Sequence, residues 1–320
     1  MLNKIFTRPA PPVIRSQLNP LVLTAVATTI GAFTYYSISD KKTEQGTNNQ
    51  QSPPKTFAGG PAFTSLQLHS VEKLNHDSSR FRFSLPTENS VSGLSSPPPN
   101  QSSISLTREL AASLLTLTKP AGQWRPVVRP YTPISDLNVP GYVDLVIKRY
   151  PGGQASQHIH SLKPGDSLFV LAALGGYKWK QNEFNHIVMI AGGAGITPMA
   201  QLLKGIFSNP SEKTKVTLLF GINTDEDALF RSEFDEIEKT HPDRFSVVYT
   251  VTHPGPDSVF LKGRVTKELI KDALSKTSNV PEKVFVCGPP AMEASLLGER
   301  NGSQGILKEL GFGKDQIYKC

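Results

Sequence analysis

A chain of 320 residues with 38% hydrophobic content, 25 Gly and 26 Pro is long enough for two turn-rich globular domains plus tails. Of the net charge of +7, residues 1–61 carry the larger part, six Lys/Arg against two acidic residues, so the basicity is that of a leader and argues against a nucleic-acid surface. Two cysteines, Cys287 and Cys320, exclude a disulfide framework, a zinc pattern and cluster ligation, so any redox chemistry has to come from an organic cofactor or a partner.

No acidic residue precedes Asp40, and Lys4, Arg8 and Arg15 are spread among Ser, Thr and apolar residues, the composition of a mitochondrial presequence over residues 1–17. The uncharged run that follows predicts a transmembrane anchor helix over 18–39, with Tyr35-Tyr36 at an interface. A secretory signal is the rival, although its apolar core is usually shorter. Residues 40–61 are rich in Gln, Asn, Ser and Pro and read as a linker.

From Phe63 the grammar changes. Leu66/Leu68, Phe81/Phe83/Leu85 and Val143/Leu145/Ile147 alternate at period two, each a half-buried strand. Val127–Thr132 and Leu168–Leu171 add two more strands, and Ser90–Ser103, with Pro97-Pro98-Pro99, reads as a surface loop. One helix, Ser156–Leu162, interrupts them after Pro151-Gly152-Gly153. Short strands with almost no helix predict a six-stranded antiparallel barrel over 62–173. Residues 174–184 link it to a βαβ pattern over 185–320. Strands are expected at Ile187–Ala191, Val216–Gly221, Phe245–Val251 and Val284–Cys287. Helices are expected at Pro198–Phe207, Asp227–Thr240, Val265–Ala273 and Pro290–Leu297. The fold class is therefore β plus α/β, a barrel followed by a Rossmann-like parallel sheet.

Four stretches carry chemistry. Arg129-Pro130-Tyr131-Thr132-Pro133-Ile134-Ser135 is a proline-stiffened strand, with Arg129, Tyr131 and Pro133 expected on one face. A cation and a flat ring suit a ligand with a phosphate at one end and a ring system at the other, and the same residues also suit a plain Pro-rich edge strand. Ile187–Met199 is strand, glycine turn and helix start. Thr197 is expected to cap the helix and Pro198 to take its first position, and the bare glycines let a pyrophosphate approach the helix terminus. A tight packing turn is the alternative. Cys287-Gly288-Pro289-Pro290 repeats the arrangement at the end of a second strand, where Cys287 also reads as a small buried hydrophobe. Pro151–Ser156 offers free N–H groups and the Ser156 hydroxyl to a second phosphate, or is an ordinary turn. His158 and His160 do not share a helix face, so no metal site is expected.

In this order the motifs resemble the ferredoxin–NADP reductase superfamily, and within it the NADH–cytochrome b5 reductases of the membrane-anchored mitochondrial fungal type. The resemblance covers roughly Phe63 to Lys319. It implies FAD and NADH as cofactors, with Arg129 on the FAD pyrophosphate and Pro130, Tyr131, Thr132 and Ser135 in the flavin motif, Thr132 near the reactive N5. Tyr150, Gly153 and Ser156 would hold the ribityl-phosphate arm. Lys148, Thr197 and Cys287 would stand on the nicotinamide side, and Gly193, Gly195, Gly288 and Pro289 would line the nucleotide crevice. The implied acceptor is cytochrome b5 or a similar haem protein, steered by Lys163, Lys178 and Lys180. The implied setting is a monomer anchored in the mitochondrial outer membrane, with a cleaved intermembrane-space form as a further possibility. The sequence departs from that pattern in four places. Ala194 stands for threonine, Ala155 for methionine, Thr252 for the acidic residue of NADH-selective members, and Cys320 for the terminal aromatic. Thr252 next to His253 leaves NADPH possible as well. Alternatives are a related flavin reductase with another acceptor, or a nucleotide-binding module without turnover.

Overall fold

The computed structural model describes residues 52–57, 59–94, 107–120, 122, 124–276, 280–299, 302 and 304–320. The presequence-like segment, the anchor and the front of the linker lie outside them. Among the described residues no helix is long and apolar enough to cross a membrane.

The first sheet has six antiparallel strands: β1 (Gly60–Lys73), β2 (Ser78–Ser84), β4 (Ser113–Thr118), β5 (Val127–Tyr131), β6 (Tyr142–Lys148) and β7 (Ser167–Leu174), in the order β5-β4-β7-β1-β2-β6. The alternating positions point inward as expected: Leu66, Leu68, Phe81, Phe83, Val143, Leu145, Ile147 and Leu168 form one buried core. The two outer strands meet through an isolated bridge, Pro133 to Leu145, so the sheet is a half-barrel with a seam. The interrupting helix α1 (Gln154–Ser161) starts two residues earlier than the sequence suggests.

Three sequence boundaries move. The predicted linker 40–61 ends inside the folded body, because Lys55 bridges Val91 and Phe57 is buried. The supposed surface loop starts as core. Val91 and Leu94 are buried, and the Ser92 hydroxyl donates to the Leu137 carbonyl at 2.6 Å. The linker 174–184 contains β8 (Tyr177–Lys180), which pairs with β3 (Thr107–Leu110) as a two-stranded antiparallel ribbon.

The second sheet is wholly parallel, in the order β12-β11-β10-β9-β13-β14, from β9 (His186–Gly192), β10 (Lys215–Ile222), β11 (Phe245–Val251), β12 (Leu261–Lys262), β13 (Lys283–Cys287) and β14 (Ile317–Lys319). All seven residues of β9 are buried, as a central strand covered on both faces requires. Helices α2 (Ile196–Phe207) and α3 (Arg231–Thr240) share one core with the sheet. On its other face lie α4 (Lys267–Ser275), α5 (Pro290–Leu297) and α6 (Ile306–Glu309). The predicted helix at Asp227 begins only at Arg231, since Asp225–Asp227 is a separate 3-10 turn boxed by Thr224. The one predicted from Val265 is capped by Thr266, whose hydroxyl accepts the Leu269 N–H. The order of strands reverses between β9 and β13, so both glycine turns leave the sheet at its switch point.

Candidate flavin and nucleotide site

The Arg129–Ser135 stretch is the seam of the half-barrel. β5 is the edge strand, so the missing N–H of Pro130 costs no ladder bond on its open side. Tyr131 pairs with Leu114 and Arg129 with Thr116. Past Tyr131 the chain turns in. The Ile134 N–H donates to the Asp144 carbonyl at 2.9 Å, and the Ser135 hydroxyl accepts the Asp144 N–H at 3.1 Å. The expected common face of Arg129, Tyr131 and Pro133 is accordingly twisted: Arg129 is exposed, Tyr131 half-buried on the barrel core and Pro133 buried. The Arg129 guanidinium donates to the Val128 carbonyl at 2.7 Å. Burial pushes the Tyr131 phenol up to about 12 against the pull of Arg129, so it stays a neutral ring. Thr132 is buried, with its hydroxyl 2.9 Å from that of Ser113.

Beyond β6 the chain makes a compact turn into α1. The Ser156 hydroxyl donates to the Gly153 carbonyl at 3.0 Å and accepts the Tyr150 N–H at 3.2 Å. It thus shapes the turn from below, and the exposed Tyr150 stands above it. A Cβ on Gly153 would come within 2.6 Å of the Ser156 oxygen, so this position needs glycine. The first turn of α1 has no acidic residue and no side-chain cap, which leaves its N–H groups to a ligand.

On the other side, Gly193–Gly195 forms a 3-10 turn that has already wound the chain before α2 begins. Gly195 is therefore the N-cap, not Thr197, and Pro198 is the third helical residue, not the first. Proline is harmless there because no helical carbonyl needs its N–H. The Thr197 hydroxyl donates to the Ala194 carbonyl at 3.1 Å. The two glycine turns interlock: a Cβ on Gly195 would collide with the Cys287 carbonyl and the Gly288 nitrogen. Cys287 is half-buried, and burial pushes its thiol up to about 11. Gly192, Gly193, Pro289 and Met292 line one end of a crevice of about 320 Å³. Thr250, Thr252 and Arg264 line the other end, and Lys148 and Tyr150 lie on the side of the half-barrel. The Thr250 hydroxyl is buried without a hydrogen-bond partner among the described residues.

Several contacts join the halves, and three of them bear on the site. The Ala194 N–H donates to the Tyr150 phenol oxygen at 3.3 Å. Buried Gln201 on α2 donates to the Pro133 carbonyl at 2.7 Å and accepts the Ala112 N–H at 2.9 Å. The Lys148 ammonium sits 2.5 Å from Asp227 and 2.8 Å from Asp77, all but Asp77 deeply buried. Burial alone would favour the neutral lysine, but the hydrogen bonds it donates to the two carboxylates raise its pKa overall. Burial would likewise raise Asp227, yet Lys148 and the Thr224 N–H hold its carboxyl below the usual range. His76, Asp77 and Asp227 bring ligand atoms within 4.8 Å of one another, and the Lys148 ammonium already pairs with both carboxylates.

An antiparallel half-barrel joined to a parallel sheet, with both of its glycine turns opening on one crevice, defines a two-domain oxidoreductase of the flavin and nicotinamide class. Family models agree in both halves: an oxidoreductase FAD-binding domain over residues 103–179 and an oxidoreductase NAD-binding domain over 189–297. The chain is 45% identical over 273 residues to NADH-cytochrome b5 reductase 2 of Pyricularia oryzae, covering 83% of this chain and 78% of that one. It is 39% identical to the Aspergillus clavatus protein of that name over 322 residues, 98% of this chain and 94% of that one. Among solved structures, the cytochrome b5 reductase domain of Ulva prolifera nitrate reductase superposes with a TM-score of 0.64 at 27% identity, over 84% of this chain and all of that domain. The chain belongs to the NADH–cytochrome b5 reductase family. It is a flavin-dependent oxidoreductase.

Proposed function

We propose that this chain takes reducing equivalents from NADH through FAD to cytochrome b5 or a similar haem protein, from a body tethered to the mitochondrial outer membrane by residues 18–39. The observation that carries the reading is the meeting of Lys148 and Tyr150, at the end of the half-barrel strand β6, with Gly193 and Pro289 of the two glycine turns around one crevice, held by the Tyr150–Ala194 contact. The residues fit a flavin nucleotide: an exposed arginine, a neutral ring, a half-buried hydroxyl pair, and an uncapped helix start behind a glycine with no room for a Cβ.

Bound FAD would supply the chemistry, taking a two-electron hydride and giving up electrons one at a time. The protein's part is to hold two ring systems in contact at about 3–3.5 Å and keep water from between them. Arg129 would pair with the pyrophosphate, and the α1 terminus would receive the neighbouring phosphate through N–H groups that Ser156 leaves free. Tyr131 and Thr132 would lie along the flavin. Thr197, tied to Ala194, and Cys287 would form the opposite wall, where Gly193 would admit the nicotinamide close to the backbone and Gly195 lets the two glycine turns interlock. Lys148 would face the incoming nucleotide, with its ammonium fixed by Asp227 and Asp77. At the far end, Thr252 with Arg264 replaces an acidic lining by a hydroxyl and a cation, which tolerates a 2′-phosphate and relaxes the preference for NADH. Exposed Lys163, Lys178 and Lys180 would steer an acidic acceptor.

The test is purification of the full chain in detergent. The reading requires a yellow protein that NADH bleaches without oxygen and that then reduces cytochrome b5. A colourless protein that binds NADH without turnover would leave only a nucleotide-binding module. Membrane tethering is tested separately, by alkaline extraction of isolated mitochondria with and without residues 1–39, and release of the full chain into the supernatant would refute it.

A further inference from the structure

The chain's two cysteines stand far apart in sequence, yet the parallel sheet sets them side by side. β13 and β14 pair in register as Val284 with Ile317, Phe285 with Tyr318 and Val286 with Lys319. The next rung is Cys287 with Cys320, and the ladder reaches it, because the Cys320 N–H donates to the Val286 carbonyl at 3.0 Å. Residues two apart on a strand share a face, so Cys287 and Cys320 lie on the same face as Phe285 and Tyr318. Those two rings touch with centroids 5.6 Å apart, and both thiols pack against the same core cluster. Paired residues on neighbouring strands lie about 4.8 Å apart, inside the Cα window of roughly 4.4–6.8 Å that a disulfide needs. Both cysteines are free.

We propose that Cys287 and Cys320 form a reversible intramolecular disulfide that switches the enzyme off under oxidising conditions. The pairing stands on the register alone, while its effect on turnover rests on the reductase reading above. Cys287 ends β13 at the switch point, and its carbonyl is wedged against Gly195 of the facing turn. A bond to Cys320 fixes its side chain away from the nicotinamide wall and ties β14 to β13. With hydrogen peroxide as oxidant the step balances: one thiol sulfur takes a peroxide oxygen as sulfenic acid and releases the first water, and the other sulfur displaces that oxygen as the second water. Two S–H bonds and one O–O bond break, one S–S bond and two O–H bonds form, and two electrons pass from sulfur to oxygen. Burial keeps both thiols protonated near neutrality, Cys287 with a pKa of about 11, so the device answers sustained rather than brief exposure.

The experiment treats the full-length holoenzyme with hydrogen peroxide, blocks the remaining thiols, digests with trypsin without reductant, and weighs the peptide 284–300. The expected result is that peptide disulfide-linked to the tryptic fragment that begins at Cys320, cut free after Lys319. Ferricyanide reduction by NADH should fall by roughly tenfold or more and recover with dithiothreitol. Cys320→Ser should keep its activity through the same treatment. Three results would overturn the switch: peptide 284–300 oxidised with no cysteine attached, the cross-link found only in dimers on a non-reducing gel, or a monomer with the cross-link and undiminished turnover. A colourless protein that still forms the cross-link would instead count against the flavin reading and leave the pairing standing.

Discussion

Replacing Asp227 by alanine isolates one buried contact between the two halves. In the wild type the Lys148 ammonium, 9% exposed, lies between Asp227, 3% exposed, and Asp77, 18% exposed. Removing Asp227 leaves a buried cation with one partner, and breaking a buried pair from one side costs about 3–5 kcal/mol. Asp77 remains at 2.8 Å, so the lower figure applies, about 3 kcal/mol. For a body of this size each kcal/mol moves the midpoint by about 2–4 °C, and calorimetry should show a Tm lower by about 6–12 °C. The penalty comes from the orphaned charge rather than from a lost contact, so Lys148→Met in the same protein should recover much of it. Because Lys148 and Asp227 both line the crevice, KM for NADH should rise in D227A even where the fold is intact. A Tm shift under about 2 °C, or a double variant less stable than D227A, would refute the reasoning.

The same cluster sets the pH range of stability. Asp227 is depressed, so its contribution is present above the usual carboxylate pKa near 4 and lost as pH falls through its lower folded value, whereas Lys148 is raised, so its share holds below about 10.5 and fades as pH rises through its higher folded value. Urea midpoints across the range should therefore be flat between about pH 5 and 10, and in D227A the acid limb should flatten. Gln201→Leu leaves the Ala112 N–H and the Pro133 carbonyl unpaired at the seam, a cost of about 2–4 kcal/mol readable from urea unfolding. For the nucleotide end, wild type should use NADH and NADPH with kcat/KM values within about tenfold, and Thr252→Asp should widen that ratio by about tenfold or more toward NADH. A wild-type ratio already far above this would mean that Thr252 and Arg264 do not relax the choice.

Where pattern and burial coincide, the elements were legible. The alternating runs at Leu66/Leu68, Phe81/Phe83 and Val143/Leu145/Ile147 all turn their apolar side chains into the half-barrel. The strand β4 escaped because its pattern is inverted. Thr116 and Thr118 point inward and donate their hydroxyls to the Arg129 and Val127 carbonyls, while Leu115 and Leu117 are only half-buried. The short β3 and β8 carry too few residues for any period to show. The start of α2 was misplaced for a local reason, a glycine turn that winds before the helix does.

The sequence by itself determined the two kinds of sheet, the order of the three motifs and the residue types that a flavin and a nicotinamide nucleotide need. These follow from period, spacing and the stiffness of proline and glycine, which act within a few residues of chain. Only the tertiary structure decided that Arg129–Ser135 is the barrel's seam, that Lys148 is spoken for by Asp77 and Asp227, and that Gln201 stitches one half to the other. It also brought Cys320 beside Cys287, 33 positions away. Such partners are chosen by strand register and by the packing of whole elements, and no local pattern in the chain encodes either.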